Sequence, residues 1–296
     1  MKKTKTVNRT GKSLVKKALV VGAKKTKVLD KEKLAQANEK IKLEKVLRQG
    51  QDEPKIEVKK DATKEDKKYT LTVDVKDLLM AGSHLGHKIS KTNPKIKEYL
   101  YEAREGIQLF DLNKTFEGLE KACNFIYNAK RNGKQIVMLG TKRQAREVVR
   151  RVAMDAGVPY ITDRWLGGTV SNWSEIKKNI KKLNEINSGL ETGKYTEISK
   201  KDLSELNKEK IRLERMIGGL TKLDKLFDII FVVDSGFEKT AIKESREKGV
   251  KVVSIVDTDS NPEKVDFAIT ANDDNVKSIS IIVEEIGRAI KAAGVK

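Results

Sequence analysis

Two carboxylates behind an apolar run are the residues of this sequence best suited to catalysis. Asp257 and Asp259 follow residues 252–256, which are apolar except for Ser254. Two carboxylates at a strand end can hold magnesium and attack a phosphoryl group, as in haloacid-dehalogenase-like phosphatases. Those enzymes place Thr or Val two residues after the second Asp, whereas this chain has Asn261 and then Pro262. The pattern therefore favours a capped strand-end turn, and a magnesium-dependent phosphohydrolase remains the enzymatic alternative.

A glycine and two cations follow a predicted strand at 135–140 and open a predicted helix at 143–156. Backbone N–H groups at a helix start, with Lys142, Arg143 and Arg146 beside them, can hold a phosphate. A nucleotide phosphate loop needs a glycine four residues before Gly-Lys, and no Gly-x-Gly-x-x-Gly follows any predicted strand. We therefore expect no ATP or dinucleotide cofactor and no small-molecule substrate, and favour an RNA phosphate as the ligand.

Two tryptophans and an arginine bracket a pair of glycines within residues 164–173. Arg164 with an exposed aromatic ring can pin a phosphate and stack on an unpaired base. Trp165 and Trp173 can equally belong to the core, because they lie where the globular domain meets an inserted segment. We predict that the tryptophans pack and that Arg164 contacts RNA, with Asn172 beside it.

The chain contains only two histidines, His84 and His87. On a helix this spacing would direct both imidazoles toward one metal ion. Gly82 and Gly86 predict a turn instead, and no cysteine or third ligand lies nearby. We therefore expect hydrogen-bonding or RNA-contacting histidines and no metal site.

Length and charge narrow the class of protein. The 296 residues suffice for one large or two ordinary domains. The chain carries 62 Lys and Arg against 43 Asp and Glu, and a net charge of +19 favours a polyanionic partner. Cys123 is the only cysteine, which excludes an internal disulfide and fits a reducing compartment. Without a long apolar run we expect no membrane span, and a cytoplasmic location with an organellar one as the minor alternative.

Strand and helix patterns alternate from about residue 72 onward. Strands are predicted at 107–111, 135–140, 160–162, 229–234, 252–257 and 267–269, and helices at 75–80, 115–132, 143–156, 238–248 and 275–292. Continuous apolar runs such as 229–233 are typical of a parallel sheet with helices on both faces. We predict a doubly wound α/β domain formed by residues 71–172 and 228–296.

Residues 173–227 interrupt this alternation with a helical pattern. Apolar residues recur there at steps of three and four, as in a coiled-coil seam: Ile176, Ile180, Leu183, Leu203, Leu206, Leu213, Ile217 and Leu220. Two helices joined across 187–193 would form an antiparallel hairpin, with Lys177 and Lys178 on its surface. Lys210 occupies a position where the seam favours an apolar residue.

The first 70 residues form a basic extension. They hold 22 Lys and Arg against 10 Asp and Glu, and residues 1–29 contain no acidic residue. This composition predicts an arm that is disordered when free and that contacts RNA, although a solubilising tail has the same composition. A short helix is predicted at 31–49.

Five motifs occur in order along the globular part. They are Ala-Gly-Ser-His-Leu-Gly-His at 81–87 with Asn-Pro-Lys at 93–95, Gly-Thr-Lys-Arg at 140–143, Arg-Trp-Leu-Gly-Gly at 164–168 with Asn-Trp at 172–173, Ile-Val-Asp-Thr at 255–258, and Asn-Asp-Asp at 272–274. Together they resemble the bacterial small-subunit ribosomal protein two family, from about residue 73 to residue 293. The basic extension is a departure from the usual pattern of that family.

The resemblance implies a flavodoxin-like α/β domain with a protruding coiled-coil hairpin. It also implies a structural, non-catalytic protein between head and body of the small ribosomal subunit, bound to small-subunit rRNA and neighbouring ribosomal proteins. The large mRNA-binding ribosomal protein one is a further partner that the resemblance suggests. A free-standing RNA chaperone is the remaining alternative. The predicted RNA-binding residues are Lys88, Lys91, Asn93, Lys95, Lys142, Arg143, Arg146, Arg164, Asn172, Lys177 and Lys178.

Overall fold

The computed structural model describes residues 68–195 and 199–294. Its helices are α1 (Val75–Met80), α2 (Leu112–Arg131), α3 (Arg146–Asp155), α4 (Trp173–Glu191), α5 (Lys200–Ile217), α6 (Lys239–Glu247) and α7 (Val276–Gly294). Its strands are β1 (Leu85–Lys88), β2 (Leu100–Arg104), β3 (Ile107–Phe110), β4 (Ile136–Leu139), β5 (Tyr160–Ile161), β6 (Ile229–Val232), β7 (Lys251–Val256) and β8 (Phe267–Thr270). The predicted helix at 31–49, and the basic extension except for residues 68–70, lie outside the described residues.

Five parallel strands form the main sheet, in the order β5-β4-β6-β7-β8. Numbered along the chain within this sheet, the order is 2-1-3-4-5, which is the flavodoxin-like order of doubly wound folds. The prediction of a mainly parallel α/β sheet is confirmed.

Both faces of this sheet are buried because its strand residues alternate between two apolar clusters. Ile136 and Met138 point into one cluster, which includes side chains from α2, α3 and α7. Val137 and Leu139 point into the other cluster, which includes side chains from α4, α5 and α6. Two burial faces explain why these strands are continuous apolar runs in the sequence.

A second, antiparallel sheet was missing from the sequence prediction. Its three strands lie in the order β1-β3-β2. Most residues of β1 and β2 are exposed or half-buried, so they lack the apolar pattern that marks a strand. The turn-rich interpretation of 82–94 was therefore wrong for β1.

The residues just before α1 are held against the last helix of the fold. The Glu285 side chain of α7 is fully buried, and its carboxylate accepts hydrogen bonds from the Tyr69 hydroxyl at 3.1 Å and the Thr72 backbone N–H at 2.9 Å. Arg288 pairs with the same carboxylate. These contacts explain why a carboxylate is tolerated inside an apolar cluster.

Helices α4 and α5 occupy the predicted insertion, and they contact each other. Leu183 and Leu213 are buried in the same apolar cluster as one face of the sheet. Lys182 of α4 pairs with Glu209 of α5 at 2.6 Å. Lys210 is partly exposed and lies 3.7 Å from Glu214. Helices were thus correctly predicted here, whereas their coiled-coil geometry stays a prediction. Among the described helices, none is long and apolar enough to cross a bilayer.

Candidate RNA-binding surface

Charged residues gather where the parallel strands end. In doubly wound sheets, ligands bind at the carboxyl ends of the strands, where the strand order reverses. In this chain that position lies between β4 and β6. It is filled by protein side chains, which we call the strand-end cluster: Lys142, Asp234, Asp257, Asp273, Asp274 and His87.

Lys142 is the centre of the strand-end cluster. Its Nζ lies 3.0 Å from Asp234 Oδ2, 2.6 Å from Asp273 Oδ1 and 2.6 Å from Asp274 Oδ1. The Lys142 side chain is only 14% exposed. Burial alone would lower the pKa of this ammonium, but the three carboxylates outweigh burial and raise its pKa.

The prediction that Lys142 binds an RNA phosphate does not agree with this geometry. Its ammonium is already neutralised by carboxylates, and those carboxylates would repel an approaching phosphate. The helix also starts later than predicted, at Arg146, after a turn in which the Ala145 N–H donates to the Lys142 carbonyl at 2.8 Å. The structure therefore assigns Lys142 to internal ion pairing.

Asp273 is a buried carboxyl group of the strand-end cluster with other carboxylates close to it. Its side chain is 1% exposed. Burial, followed by the charges of Asp257 and Asp234, raises the pKa of Asp273, although the ammonium of Lys142 acts in the opposite direction. The Lys142 ammonium is therefore the group that favours the ionised form of Asp273 in this cluster.

His87 connects the antiparallel sheet to the strand-end cluster. Its Nδ1 lies 3.2 Å from Asp257 Oδ1, and its Nε2 lies 3.4 Å from Asp274 Oδ2. The contact with Asp257 raises the pKa of His87 to about 9, although burial opposes the shift. The two histidines are therefore not equivalent, because burial lowers the pKa of His84.

The loop that carries His87 is fixed further by Thr258, which follows β7. The His87 backbone N–H donates to Thr258 Oγ1 at 2.8 Å, and the Asn93 N–H donates to the Thr258 carbonyl at 2.8 Å. A Cβ on Gly86 would come within 2.4 Å of the Thr258 methyl carbon, so only glycine fits between the two segments. The loop at 86–93 is therefore held on the sheet edge at several points.

Asp257, the candidate nucleophile, is enclosed by the protein. Its side chain is 1% exposed. One carboxylate oxygen accepts from the Thr258 N–H and hydroxyl, at 2.5 and 3.0 Å, and the other accepts from the Asp273 N–H at 3.2 Å. Within 68–195 and 199–294, no group of three or more His, Cys, Asp or Glu side chains is arranged to hold a metal ion. This geometry matches the capped strand-end turn that the sequence favoured.

The segment around Arg164 is fixed by helix α6. The Glu244 carboxylate of α6 accepts from the Gly168 N–H at 2.9 Å. Trp165 is 8% exposed and Trp173 is half-buried, and both belong to the cluster on the α4 face of the sheet. The prediction that the tryptophans pack is confirmed, and the packed ring of Trp165 leaves the Arg164 side chain exposed.

Half of the other predicted RNA-binding residues are engaged within the protein. Lys95 pairs with Glu263 at 2.8 Å and Lys178 with Glu175 at 2.6 Å, both at the surface. Arg146 donates through Nε to the Thr141 carbonyl at 2.8 Å. The other two are asparagines at helix starts: Asn93 Oδ1 accepts from the Lys95 N–H, and Asn172 precedes α4. Surface ion pairs of this kind exchange readily, so Lys95 and Lys178 stay candidates.

Five predicted cations are exposed, with side chains that form no hydrogen bond or ion pair to the described residues. They are Lys88, Lys91, Arg143, Arg164 and Lys177. The first two lie on the loop held by Thr258, and the next two follow the ends of β4 and β5. Cations without internal partners remain available to an external polyanion.

Sequence comparison connects this fold to a known family. The model of the family "Ribosomal protein S2" matches residues 78–293, which include both sheets and the strand-end cluster. The chain belongs to the ribosomal protein S2 family. A similar protein supports this assignment. The small ribosomal subunit protein uS2 of Oenococcus oeni (strain ATCC BAA-331 / PSU-1) is 38% identical to this chain over 218 residues, which are 74% of this chain and 84% of the relative.

Ribosomal proteins are generally not enzymes, and the place where the strand order reverses holds the ion pairs of the strand-end cluster. The site of a doubly wound enzyme is replaced by a closed ion-pair network, which holds the loops in position. Asp234 was missed as a site residue in the sequence, although its position at the end of a predicted strand gave a signal.

Proposed function

We propose that the chain is a structural constituent of the small ribosomal subunit that binds small-subunit rRNA and neighbouring ribosomal proteins between head and body. The family match over residues 78–293 carries this proposal. The net charge of +19 supports it, because rRNA is a polyanion. The ribosome-bound protein would act in the cytoplasm, with an organellar ribosome as the alternative.

The exposed cations near the sheet edge are the proposed rRNA contacts. Lys88 and Lys91 extend from a loop that is fixed at several points, and Arg164 extends from a segment fixed by α6. Rigid presentation lowers the entropy cost of binding. Contacts from such side chains to phosphates position a protein on RNA without reading a base sequence, which suits a structural role.

Two further parts of the chain complete the proposal. Helices α4 and α5 would form an antiparallel coiled-coil hairpin that presents Lys177 to RNA or to a neighbouring protein. The basic extension 1–70 would lie along rRNA, held by counterion release. The large mRNA-binding ribosomal protein one is a proposed partner near α1 and this hairpin.

Sedimentation is the decisive test. The chain should migrate with small subunits through a gradient at moderate salt and be present in about equal amount to other small-subunit proteins. A protein found only in free fractions would indicate a separate RNA chaperone and would reject the proposal. Phosphatase activity that is lost in Asp257→Asn would instead support the phosphohydrolase.

Removing three of the free cations should weaken rRNA binding. The variant Lys88→Ala/Lys91→Ala/Arg164→Ala is expected to bind small-subunit rRNA roughly tenfold more weakly, with a salt-dependence slope smaller by about 2 to 3, because each lost phosphate contact lowers that slope by about 0.7 to 0.9. Filter binding at several salt concentrations gives both values. Lys121→Ala/Lys134→Ala/Lys251→Ala is the matched control, since these three lysines are exposed, lie outside the predicted RNA-binding residues and have carboxylate partners. Equal slopes in variant and parent would exclude phosphate contacts at the three positions.

A further inference from the structure

A second cationic surface lies outside all the residues predicted for RNA binding. It is a groove of about 560 Å³ along one side of α6, and we call it the α6 groove. Its polar lining consists of Ser235, Lys239, Lys243, Arg246, Glu247 and Lys264. Ile242 supplies apolar surface between these residues.

The charge of the α6 groove is mostly unbalanced. Lys243 lies 4.0 Å from Glu247, the only carboxylate of the lining. Lys239, Arg246 and Lys264 are exposed and form no ion pair with the described residues. Lys239, Lys243 and Arg246 are spaced by four and three residues, so they follow one another along one face of the helix, about one turn apart. An extended polyanion running along α6 would therefore meet successive cations.

Ser235 adds a polar group that the fold leaves unsatisfied. Its side chain is buried, with the residue 7% exposed, and its hydroxyl has no hydrogen-bond partner among the described residues. The Ser235 backbone N–H donates to the Ile255 carbonyl at 3.2 Å, which fixes the residue at the groove. A buried hydroxyl without a partner is unfavourable, and because this oxygen is closed to solvent, it would donate to a phosphate oxygen only after its side chain turns toward the groove.

Phe237 lies between Ser235 and Lys239 in the chain and is 63% exposed. Its backbone N–H donates to Asp234 Oδ1 at 2.8 Å, within a turn in which Asp234 has a φ of 71°. The turn therefore leaves an aromatic ring in solvent two residues before the first cation of the row. Unpaired RNA bases stack on aromatic rings presented next to basic grooves.

We propose that the α6 groove binds a single-stranded segment of RNA, with phosphates along Lys239, Lys243 and Arg246 and an unpaired base on Phe237. This inference rests on the proposed function and adds a site to it. An acidic protein segment would also match the cations. RNA is favoured because the row of cations, the unpartnered hydroxyl and the exposed ring together fit a nucleotide.

Lysine modification in purified small subunits tests the site in the intact assembly. Intact subunits and free chain are treated with an acetylating reagent, and each lysine is quantified by mass spectrometry. Lys239, Lys243 and Lys264 should react at least fivefold more slowly in subunits, and ribonuclease treatment should restore their reactivity. Lys248 serves as the comparison, because it is also exposed, forms no ion pair with the part of the chain that the structure describes, and lies on another groove.

The outcomes separate this site from the proposed function. A chain absent from small subunits would reject the proposed function and the site with it. A chain present in subunits, with groove lysines as reactive as in the free chain, would reject only the site. Protection that persists after ribonuclease would show a protein occupant and overturn the RNA assignment.

Two variants test the two halves of the site. Lys239→Ala/Arg246→Ala should weaken binding to small-subunit rRNA about tenfold and lower the salt-dependence slope by about 1.4, since single strands lose about 0.7 per phosphate contact. Phe237→Leu should weaken binding about tenfold with an unchanged slope, because stacking releases no counterions. Lys248→Ala is the matched control and should change neither value. If both variants bound rRNA as tightly as Lys248→Ala does, the proposal would be overturned.

Discussion

Lys142→Met is expected to lower the free energy of unfolding by about 3–5 kcal/mol, because removing one partner of a buried ion pair leaves unpaired buried charge. In this variant Asp234 and Asp273 would face each other without a cation, and both are largely buried. Asp274 is 53% exposed and can regain water. Urea unfolding of the full chain at pH 7 measures the change.

Lys121→Met is the matched control for this prediction. Lys121 is 71% exposed and lies 3.8 Å from Glu117, a surface pair whose loss should change stability by less than about 1 kcal/mol. If Lys142→Met were no more destabilising than Lys121→Met, the strand-end cluster would not be closed by ion pairs in solution, and Lys142 would again be free to bind phosphate.

Stability should also fall as the pH rises from about 6.5 to 9, by roughly 2–3 kcal/mol from His87 alone. The pKa of His87 is about 9 in the fold, against 6.5 for an ordinary histidine. Below pH 6.5 both folded and unfolded chains hold this proton, and the stabilisation by Asp257 and Asp274 is complete. Above that pH the unfolded chain releases the proton first, so stability decreases until the folded histidine has also lost it.

Asp273 also makes the free energy of unfolding fall as the pH rises, starting at a lower pH than His87. The pKa of Asp273 is raised in the fold above the 3.8 of an ordinary aspartate, so above that pH the unfolded chain releases this proton before the folded chain does. Stability therefore begins to fall as the pH rises past about 4, below the range in which His87 acts.

His87→Gln separates the two groups. The variant should lose the part of the decrease between pH 6.5 and 9 that His87 causes and keep the decrease that begins near pH 4, which belongs to Asp273. His84, the other histidine, has a lowered pKa and therefore does not act in this range. Urea unfolding at half-unit pH steps gives the profile. An identical slope above pH 8 in parent and variant would contradict the assignment to His87.

The parallel sheet was predictable because its signal is local. Strands buried on both faces are mostly apolar, so β4 and β6 appear in the sequence as uninterrupted apolar runs, and β7 as an apolar run with the single polar residue Ser254 inside it. The antiparallel sheet carries no such signal. Tyr101 in β2 is 73% exposed, and strands that bury little cannot be recognised by hydrophobic pattern.

The role of Lys142 could not be predicted from its neighbours in the sequence. Its motif looks like a phosphate site because a glycine and two cations precede a helix. What decides its role is the arrival of Asp234, Asp273 and Asp274 from two other strand ends. Which side chains meet at the strand ends depends on the order of the strands in the sheet. Local sequence patterns do not carry information on that order. Exposed cations such as Arg164 could be recognised from the sequence without strand order, because no residue in 68–195 or 199–294 forms an ion pair with them.

The strand order has a consequence for synthesis of the chain. Ile136 of β4 pairs with Ile229 of β6, and at ~5–20 residues per second the ribosome needs roughly 5 to 20 s to add the residues between them. Throughout that interval β4 has only the short strand β5 as a neighbour, so the nascent protein presents an apolar strand edge. Helices α4 and α5 form from local contacts within microseconds. Chaperone capture during translation should therefore peak before β6 emerges.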